Sequence, residues 1–322
     1  MARMMLIINP ISGNGKKRGM ADEIADGLGA HGIKVDIAYT ERPGHATELA
    51  AMGVAQGYDA VIACGGDGTV NEVGKALCDT GTPLAIIPSG SGNGLARHIG
   101  LPMDVKAAME VIAKGHVDNC DYGTVNGLHF FCTFGIGFDA AVSDRFAASA
   151  SRGFITYLRS AVAELKSYHP QHYSMSVDGR KFDVDAFIVT GANASQYGNN
   201  AYIAPLASIR DGKIDLVIAR AVPLYAMPTL GIDMMTGMLP HNKRIEVISC
   251  CNAVIERDVD GPGHVDGEPA QLGKRLNVQC HPGGLKVITP ADKAAFVPVI
   301  TPLTSMVDGI GYSINHLFLH KS

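Results

Sequence analysis

The sequence predicts a two-part chain: an amino-terminal α/β unit with a parallel sheet covered by helices, then a mainly antiparallel β-sandwich. Three observations carry this. Strand-like apolar runs alternate with helix-period stretches to about residue 125. Glycine-rich loops recur at strand ends, near residues 9–18, 65–72 and 88–94. Beyond Gly127 the period shifts to strand alternation with turn pairs such as Asp178-Gly179.

Met4 to Ile8 reads as the first buried strand, and Met20, Ile24 and Leu28 mark the helix after it. The loop between them, Asn9 to Arg18, holds Gly13, Gly15 and the cations Lys16, Lys17 and Arg18, a composition suited to polyphosphate. It lacks the Walker A spacing. Ile33 to Ala38 alternates as a strand, Thr40 ends it, and Ala46, Leu49, Ala50 and Val54 give a second helix. Ala60 to Cys64 is a buried strand that breaks at Gly65, Gly66, Asp67 and Gly68, and Val70, Val73 and Leu77 continue as a helix. Glycines admit close backbone approach to a ligand, and the amides of a helix start attract phosphate. Asp67 inside that turn would repel phosphate unless a divalent cation lay between, so the loop suggests a nucleotide with a metal.

Leu84 to Ile87 forms the next strand and opens into Pro88-Ser89-Gly90-Ser91-Gly92-Asn93-Gly94, where hydroxyls and Asn93 can meet phosphate or ribose. A helix over Val105 to Ala113 and a strand over Val117 to Val125 close the first unit. In the second, Phe130 to Ala140 is apolar with two glycines, and Phe154, Leu158, Val162 and Leu165 mark a helix. Strands follow at Tyr173–Val177, Phe182–Ile188, Ile214–Ala219, Arg244–Arg257, Leu276–Cys280 and Leu285–Ile288. Residues 290–322 carry a broken helical stripe, expected to pack back on the first unit, with a membrane-surface or dimer contact as the alternative.

At 322 residues, with 47% hydrophobic and 18% charged, the chain has room for two cores. A net charge of −4 gives no overall basic field for nucleic acid or an anionic bilayer. Seven cysteines without Cys-x-x-Cys or His/Cys metal spacing read as reduced thiols of a cytoplasmic protein. No apolar run reaches the ~18 residues of a membrane span.

Gly65 to Glu72 resembles the nucleotide loop of the diacylglycerol kinase catalytic family, which includes bacterial lipid kinases, sphingosine kinases and ceramide kinases. NAD kinases and phosphofructokinases share the Gly-Gly-Asp-Gly core, while the Asn71-Glu72 continuation resembles the lipid kinases more. The likeness extends to about Val287 and implies an NAD-kinase/phosphofructokinase-like domain at 1–126, a lipid-substrate β-sandwich at 127–289, and the tail 290–322. It implies nucleotide contacts from Asn9, Pro10, Gly13, Lys16, Thr40, Gly65, Gly66, Asp67, Gly68, Thr69, Asn71, Glu72, Ser89, Gly90, Ser91 and Asn93. Ser208, Asp211 and Lys213 resemble a family segment that binds a structural magnesium, although an Asp-Gly turn reads equally well there. The sequence departs from many bacterial diacylglycerol kinases in placing Gly94, not Asp, after Asn93.

The resemblance implies ATP with Mg2+ as cosubstrate and cofactor, and a lipid alcohol as acceptor. Phosphoryl transfer needs a group to take the hydroxyl proton. Asp266 of Val265-Asp266-Gly267-Glu268 is the first candidate, Glu268 the second, and Asp67 would act through metal. Asp121 and Asp139 are weaker candidates for substrate contacts, and Phe130 to Phe138 for an acyl cleft. Diacylglycerol is the first substrate expected and a sphingoid base or ceramide the second, motivated by Gly94. A soluble NAD-kinase-like enzyme and a non-catalytic nucleotide-binding regulator are the alternatives from other classes. The expected setting is cytoplasmic with transient membrane contact, no nucleic acid, and a possible homodimer.

Overall fold

The computed structural model describes residues 2–10, 17–147, 168–220 and 226–291. The sequence-predicted helix around 154–165, the loop residues Gly13 and Lys16, and the tail beyond 291 lie outside them.

Four short apolar strands form the parallel part: β1 (Ala2–Ile8), β2 (Ile33–Tyr39), β3 (Ala60–Gly65) and β4 (Leu84–Pro88). Their order is β4-β3-β1-β2, so the chain leaves β1 to β2 on one side and returns to β3 on the other. In β3 and β4 every residue is buried, as expected for strands covered on both faces. The helices are α1 (Lys17–Ala30), α2 (His45–Ala55), α3 (Asp67–Leu77), the single turn α4 (Gly94–His98), and α5 (Val105–Lys114). Ile24, Leu28, Val73, Leu77 and Ile112 seal this core against Leu6–Ile8, Val61–Cys64 and Leu84–Ile87. Asp104 caps α5 by accepting the Ala107 amide at 2.9 Å, and Gly115 ends it in a left-handed turn.

The second half is antiparallel. Its strands are β5 (Val117–Val125), β6 (Leu128–Phe130), β7 (Thr133–Gly137), β8 (Gln171–Val177), β9 (Arg180–Ala192), β10 (Ile214–Arg220), β11 (Ile245–Cys250), β12 (Asn252–Arg257), β13 (Pro262–Val265), β14 (Glu268–Gln271) and β15 (Arg275–Ile288). The long β9 pairs with β8 through its first half and with β7 and β10 through its second. Alternating Tyr173, Met175, Val177, Val184, Leu216, Ile255 and Leu276 point into one core with Phe130, Phe134 and Ile136. Among the described residues the α-helices of this half are α6 (Phe138–Ala147) and α7 (Met227–Thr236).

Four details depart from the sequence reading. β5, read as the last strand of the parallel unit, instead pairs antiparallel with β15 and β6. The run Arg244–Arg257 is two strands, separated at Cys251, whose amide turns to the Asp178 carboxylate. Leu276–Cys280 and Leu285–Ile288 are one strand with a register shift between His281 and Leu285. Helix α7 has no counterpart in the sequence reading; Pro228 at its start and Gly231 inside it mask its period.

Candidate active site

Asn9, Thr40 and Ser89 stand just past the carboxyl ends of the parallel strands, and Gly65 is the last residue of β3. The ladder places Ile8 beside both Tyr39 and Cys64, and Gly65 beside Pro88. Backbone bonds extend it: Thr40 N–H donates to the Ile8 carbonyl at 2.9 Å and Ser89 N–H to the Gly65 carbonyl at 2.9 Å. Strand order reverses between β1 and β3, so a crevice opens at the end of the sheet where open α/β folds bind ligands. Pro10 turns the chain at the edge of that crevice.

The two described glycine loops are locked together. A Cβ on Gly90 would stand 2.3 Å from Gly66 Cα, so only glycine permits the approach. Asn93 closes the second loop on itself: its Oδ1 accepts Gly90 N–H at 3.0 Å and its Nδ2 donates to the Gly90 carbonyl at 2.9 Å. Ser89 and Ser91 flank this clamp. Asp67 Oδ2 accepts Asn93 N–H at 2.9 Å, and its Oδ1 accepts Gly94 N–H at 2.6 Å. Burial pushes the Asp67 carboxyl up to about 6, against the pull of those amides, and the nearby Asp266 charge adds to the rise. Gly68 and Thr69 complete the first turn of α3, with Thr69 buried.

Glu72 lies differently. Its Oε1 accepts Gly44 N–H at 2.8 Å and its Oε2 accepts Ala46 N–H at 3.1 Å. It caps α2 from a neighbouring helix, so its carboxylate is committed to scaffolding. Asn71 also points away from the nucleotide loops. Its Nδ2 donates to the His129 carbonyl at 3.0 Å and to Asp266 Oδ2 at 2.8 Å.

Asp266 and Glu268 sit on one hairpin and meet different environments. Asp266 (φ 48°) and Gly267 (φ 83°) are both left-handed, the turn that Asp-Gly favours between two paired strands. The turn drives the Asp266 carboxylate inward. It accepts Phe131 N–H at 3.0 Å, Cys132 N–H at 2.8 Å and Thr133 N–H at 3.0 Å besides the Asn71 amide. Burial raises its pKa while those four donors oppose the rise. Glu268 is exposed, and its Oε1 stands 3.4 Å from where a Cβ on Gly68 would be. One acid is thus consumed by structure and the other lies open over the start of α3.

The remaining sequence candidates are distributed. Asp121 is buried and accepts Gly212 N–H and Gly283 N–H, both at 2.7 Å. Asp139 is buried and accepts Ala140 N–H at 2.8 Å, Thr190 Oγ1–H at 2.8 Å and Tyr197 Oη–H at 3.0 Å, with His264 Nε2 at 3.2 Å. Both brace the second half rather than face the crevice. Phe130, Phe131 and Phe134 are fully buried core, so no acyl cleft lies among them. Ser208, Asp211 and Lys213 form a tight loop: Asp211 Oδ1 accepts Lys213 N–H at 3.1 Å and Ser208 Oγ accepts Arg210 N–H at 3.2 Å. That loop is remote in sequence and hydrogen bonding from Asp67, and Asp211 adds to the rise in the Asp215 pKa. Asp211 is an exposed carboxylate near a second one, Asp215, a donor type that suits a hard, oxygen-preferring cation, although no group of three or more His, Cys, Asp or Glu side chains gathers among the described residues.

The sequence reading missed the segment around Gln196–Asn200. Asn199 N–H donates to the Gly92 carbonyl at 3.2 Å, and Arg97 Nε donates to the same carbonyl at 3.0 Å. Its Gly-Asn-Asn composition signals only a turn, and no local pattern points to a loop one hundred residues earlier.

Comparison with known proteins settles the family. The description "Diacylglycerol kinase catalytic domain" matches residues 3–125, and "YegS C-terminal NAD kinase beta sandwich-like domain" matches residues 133–289. A diacylglycerol kinase of Mycobacterium tuberculosis (strain ATCC 25618 / H37Rv) is 33% identical over 68% of this chain and 74% of its own length. The chain belongs to the diacylglycerol kinase catalytic-domain family. That membership makes it a lipid kinase. A diacylglycerol kinase of Bacillus subtilis (strain 168) is 27% identical over 91% of this chain and 98% of that one. A Stenotrophomonas maltophilia protein named "Probable lipid kinase YegS-like" is 25% identical over 86% and 94%. A crystal structure of a family member from Bacillus anthracis str. Sterne superposes with a TM-score of 0.78 at 26% identity, over 90% of this chain and 95% of that one. The lipid-kinase fold, with its two halves in this order, is the fold seen here.

Proposed function

We propose that the chain transfers the γ-phosphate of ATP to the hydroxyl of diacylglycerol, giving phosphatidic acid, with Glu268 as the proton acceptor. The observation that carries the assignment is the contrast on one hairpin: Asp266 is saturated by four donors, whereas Glu268 is exposed beside Gly68. Among the sequence candidates this reverses the order of base, and gives Asp266 the task of holding the hairpin.

In this reading the unit 1–126 holds the nucleotide and 127–289 presents the lipid. The first-turn amides of α3 and the loop after β4 face the phosphates, with Asn9, Pro10 and Thr40 at the nucleoside side, and Gly13 and Lys16 contributing from the first loop. Asp67, half-buried near the like charge of Asp266, is the carboxylate suited to a divalent cation. Magnesium, when bound, neutralises charge on the phosphate oxygens. Asp211, with the carbonyls of Ser208 and Lys213, would hold a second, structural cation. The enzyme works from the cytoplasmic side and visits the membrane; no helix among the described residues is long and apolar enough to cross one.

Gly94 bears on the acceptor. A Cβ there would meet Cys132 Sγ at 3.1 Å and the Gln196 carbonyl at 3.3 Å. Packing alone supports glycine at this position, which removes its weight in favour of a sphingoid base or ceramide. The test is transfer from radiolabelled ATP with magnesium to diacylglycerol, ceramide, sphinganine and monoacylglycerol in mixed micelles, with NAD in a parallel soluble assay. Labelled phosphatidic acid supports the reading; label on a sphingolipid or on NAD alone replaces the substrate, and ATP binding without any product replaces the enzyme by a regulator.

A further inference from the structure

Helix α7 is apolar on two opposite faces. Leu230 and Met234 point inward, into a small core with Ile203, Ala204, Val217 and Leu239. On the other side Ile232 is 59% exposed and Met235 44% exposed, three residues apart and therefore on one stripe. Asp233, the one charged residue of the helix, accepts Asn242 Nδ2–H at 2.7 Å, so the outward stripe carries no charge. Leu206, on the turn after Ala204, is 78% exposed. It tips a turn closed by Ala207 N–H on the Ala204 carbonyl at 2.9 Å, and that turn shares the same small core. Leaving such side chains in water forgoes about 1.5–3 kcal/mol each of burial.

The stripe is placed with respect to the active site. Tyr202 N–H donates to the Met234 carbonyl at 2.9 Å, Tyr202 bridges to Gln196, and Asn199 reaches the Gly92 carbonyl of the nucleotide loop at 3.2 Å. One short strap thus joins α7 to the loop after β4. Just past the helix come His241, Lys243 and Arg244, with Lys243 exposed.

We propose that the outward stripe of α7, with Leu206, docks this lipid kinase on an anionic lipid membrane: Ile232, Met235 and Leu206 enter the headgroup boundary, and Lys243 and Arg244 meet lipid phosphates. The inference rests on the lipid-kinase reading and deepens it. A bilayer-resident acceptor must be reached by a chain whose described helices do not span the membrane. Its phosphorylation leaves negative charge on the surface, which complements the two cations. Three side chains fall well short of the ~800 Å² per partner of a stable protein interface, so a second copy of the chain is the poorer occupant.

The chain has no tryptophan, so Ile232→Trp installs a single reporter. The full-length protein is floated with vesicles of phosphatidylcholine alone and of phosphatidylcholine with phosphatidic acid. The expected results are a blue shift of Trp emission on the anionic vesicles and about a tenfold drop in vesicle partition for Ile232→Ser/Met235→Ser. Lys243→Glu/Arg244→Glu should lower partition severalfold and flatten its salt dependence. Each variant should phosphorylate a monomeric short-chain diacylglycerol as the parent does, which verifies the fold. Unshifted emission from bound protein, wild-type partition in the serine variant, or no flotation of the parent would overturn the proposal. So would a parent dimer that becomes monomeric in the serine variant with vesicle binding intact. Failure of the kinase reading is separate: it shows as absence of labelled lipid in the soluble assay, whatever the vesicles do.

Discussion

The Asn71 side-chain amide donates to Asp266 Oδ2 at 2.8 Å, joining α3 to a hairpin 195 residues later. The same nitrogen donates to the His129 carbonyl at 3.0 Å. Two positions read from sequence as a nucleotide ligand and a base are therefore partners in one joint. The joint ties the hairpin that carries the exposed Glu268 to the start of α3.

Glu268→Gln should leave the melting temperature unchanged and lower kcat by about 10²–10⁴-fold, since the carboxylate is exposed. Asp266→Ala strips the acceptor from three backbone amides and Asn71, and should destabilise the fold by on the order of 3–5 kcal/mol. Thermal melts beside kcat measurements separate the two. A stable, inactive Asp266→Ala would return the base to Asp266.

The joint itself is measurable by a double-mutant cycle. Asn71→Ala and Asp266→Asn should show a coupling of roughly 0.5–3 kcal/mol in urea unfolding. Additive effects would mean that the contact does not form in solution.

Asp67 gives a stability slope with pH. Its ordinary value of 3.8 is raised to about 6 in the fold, so the folded chain holds the proton more tightly than the unfolded chain. The stabilisation is complete below about 3.8 and is lost as pH rises through about 6. Asp67→Asn should flatten the melting temperature across that window and abolish turnover. An unchanged slope would show that another group is responsible.

Gly94→Asp tests the packing reading of that glycine. The new side chain would crowd Cys132 Sγ and stand 3.5 Å, at its Cβ, from Asp67 Oδ1. The expected loss of stability is larger at pH 8 than at pH 5, because Asp67 is charged above about 6. Equal losses at both pH values would leave steric crowding alone.

The proposed structural cation can be removed. A chelator should lower the melting temperature of the parent but not of Asp211→Asn. Equal responses would leave the 208–213 segment a plain Asp-Gly turn, held by the Asp121 contact to Gly212 N–H.

Much of the architecture is legible because it is local. Leu6–Ile8, Val61–Cys64 and Leu84–Ile87 are continuous apolar runs, and only strands covered on both faces bury them all. Gly65–Gly68 and Ser89–Asn93 announce ligand loops because glycine and hydroxyls serve close approach to phosphate wherever the chain runs. Helix α7 was hidden by Pro228 and Gly231, and by apolar residues on two faces, which leave no single stripe to count.

By itself the sequence determined the alternation of strands and helices in the first unit, the turn to strands in the second, the family, and a set of candidate acids, since these depend on residue type and short spacing. Tertiary structure alone decided what each acid touches. Asp266 and Glu268 differ by two residues, yet a left-handed Asp-Gly turn buries one against amides of Phe131–Thr133, between β6 and the start of β7, and of Asn71 in α3, and leaves the other beside Gly68. Glu72 follows Asn71 directly, yet it caps a different helix. The physical reason is that a carboxylate's role is set by the donors, charges and water around it, and those come from segments up to 195 residues away.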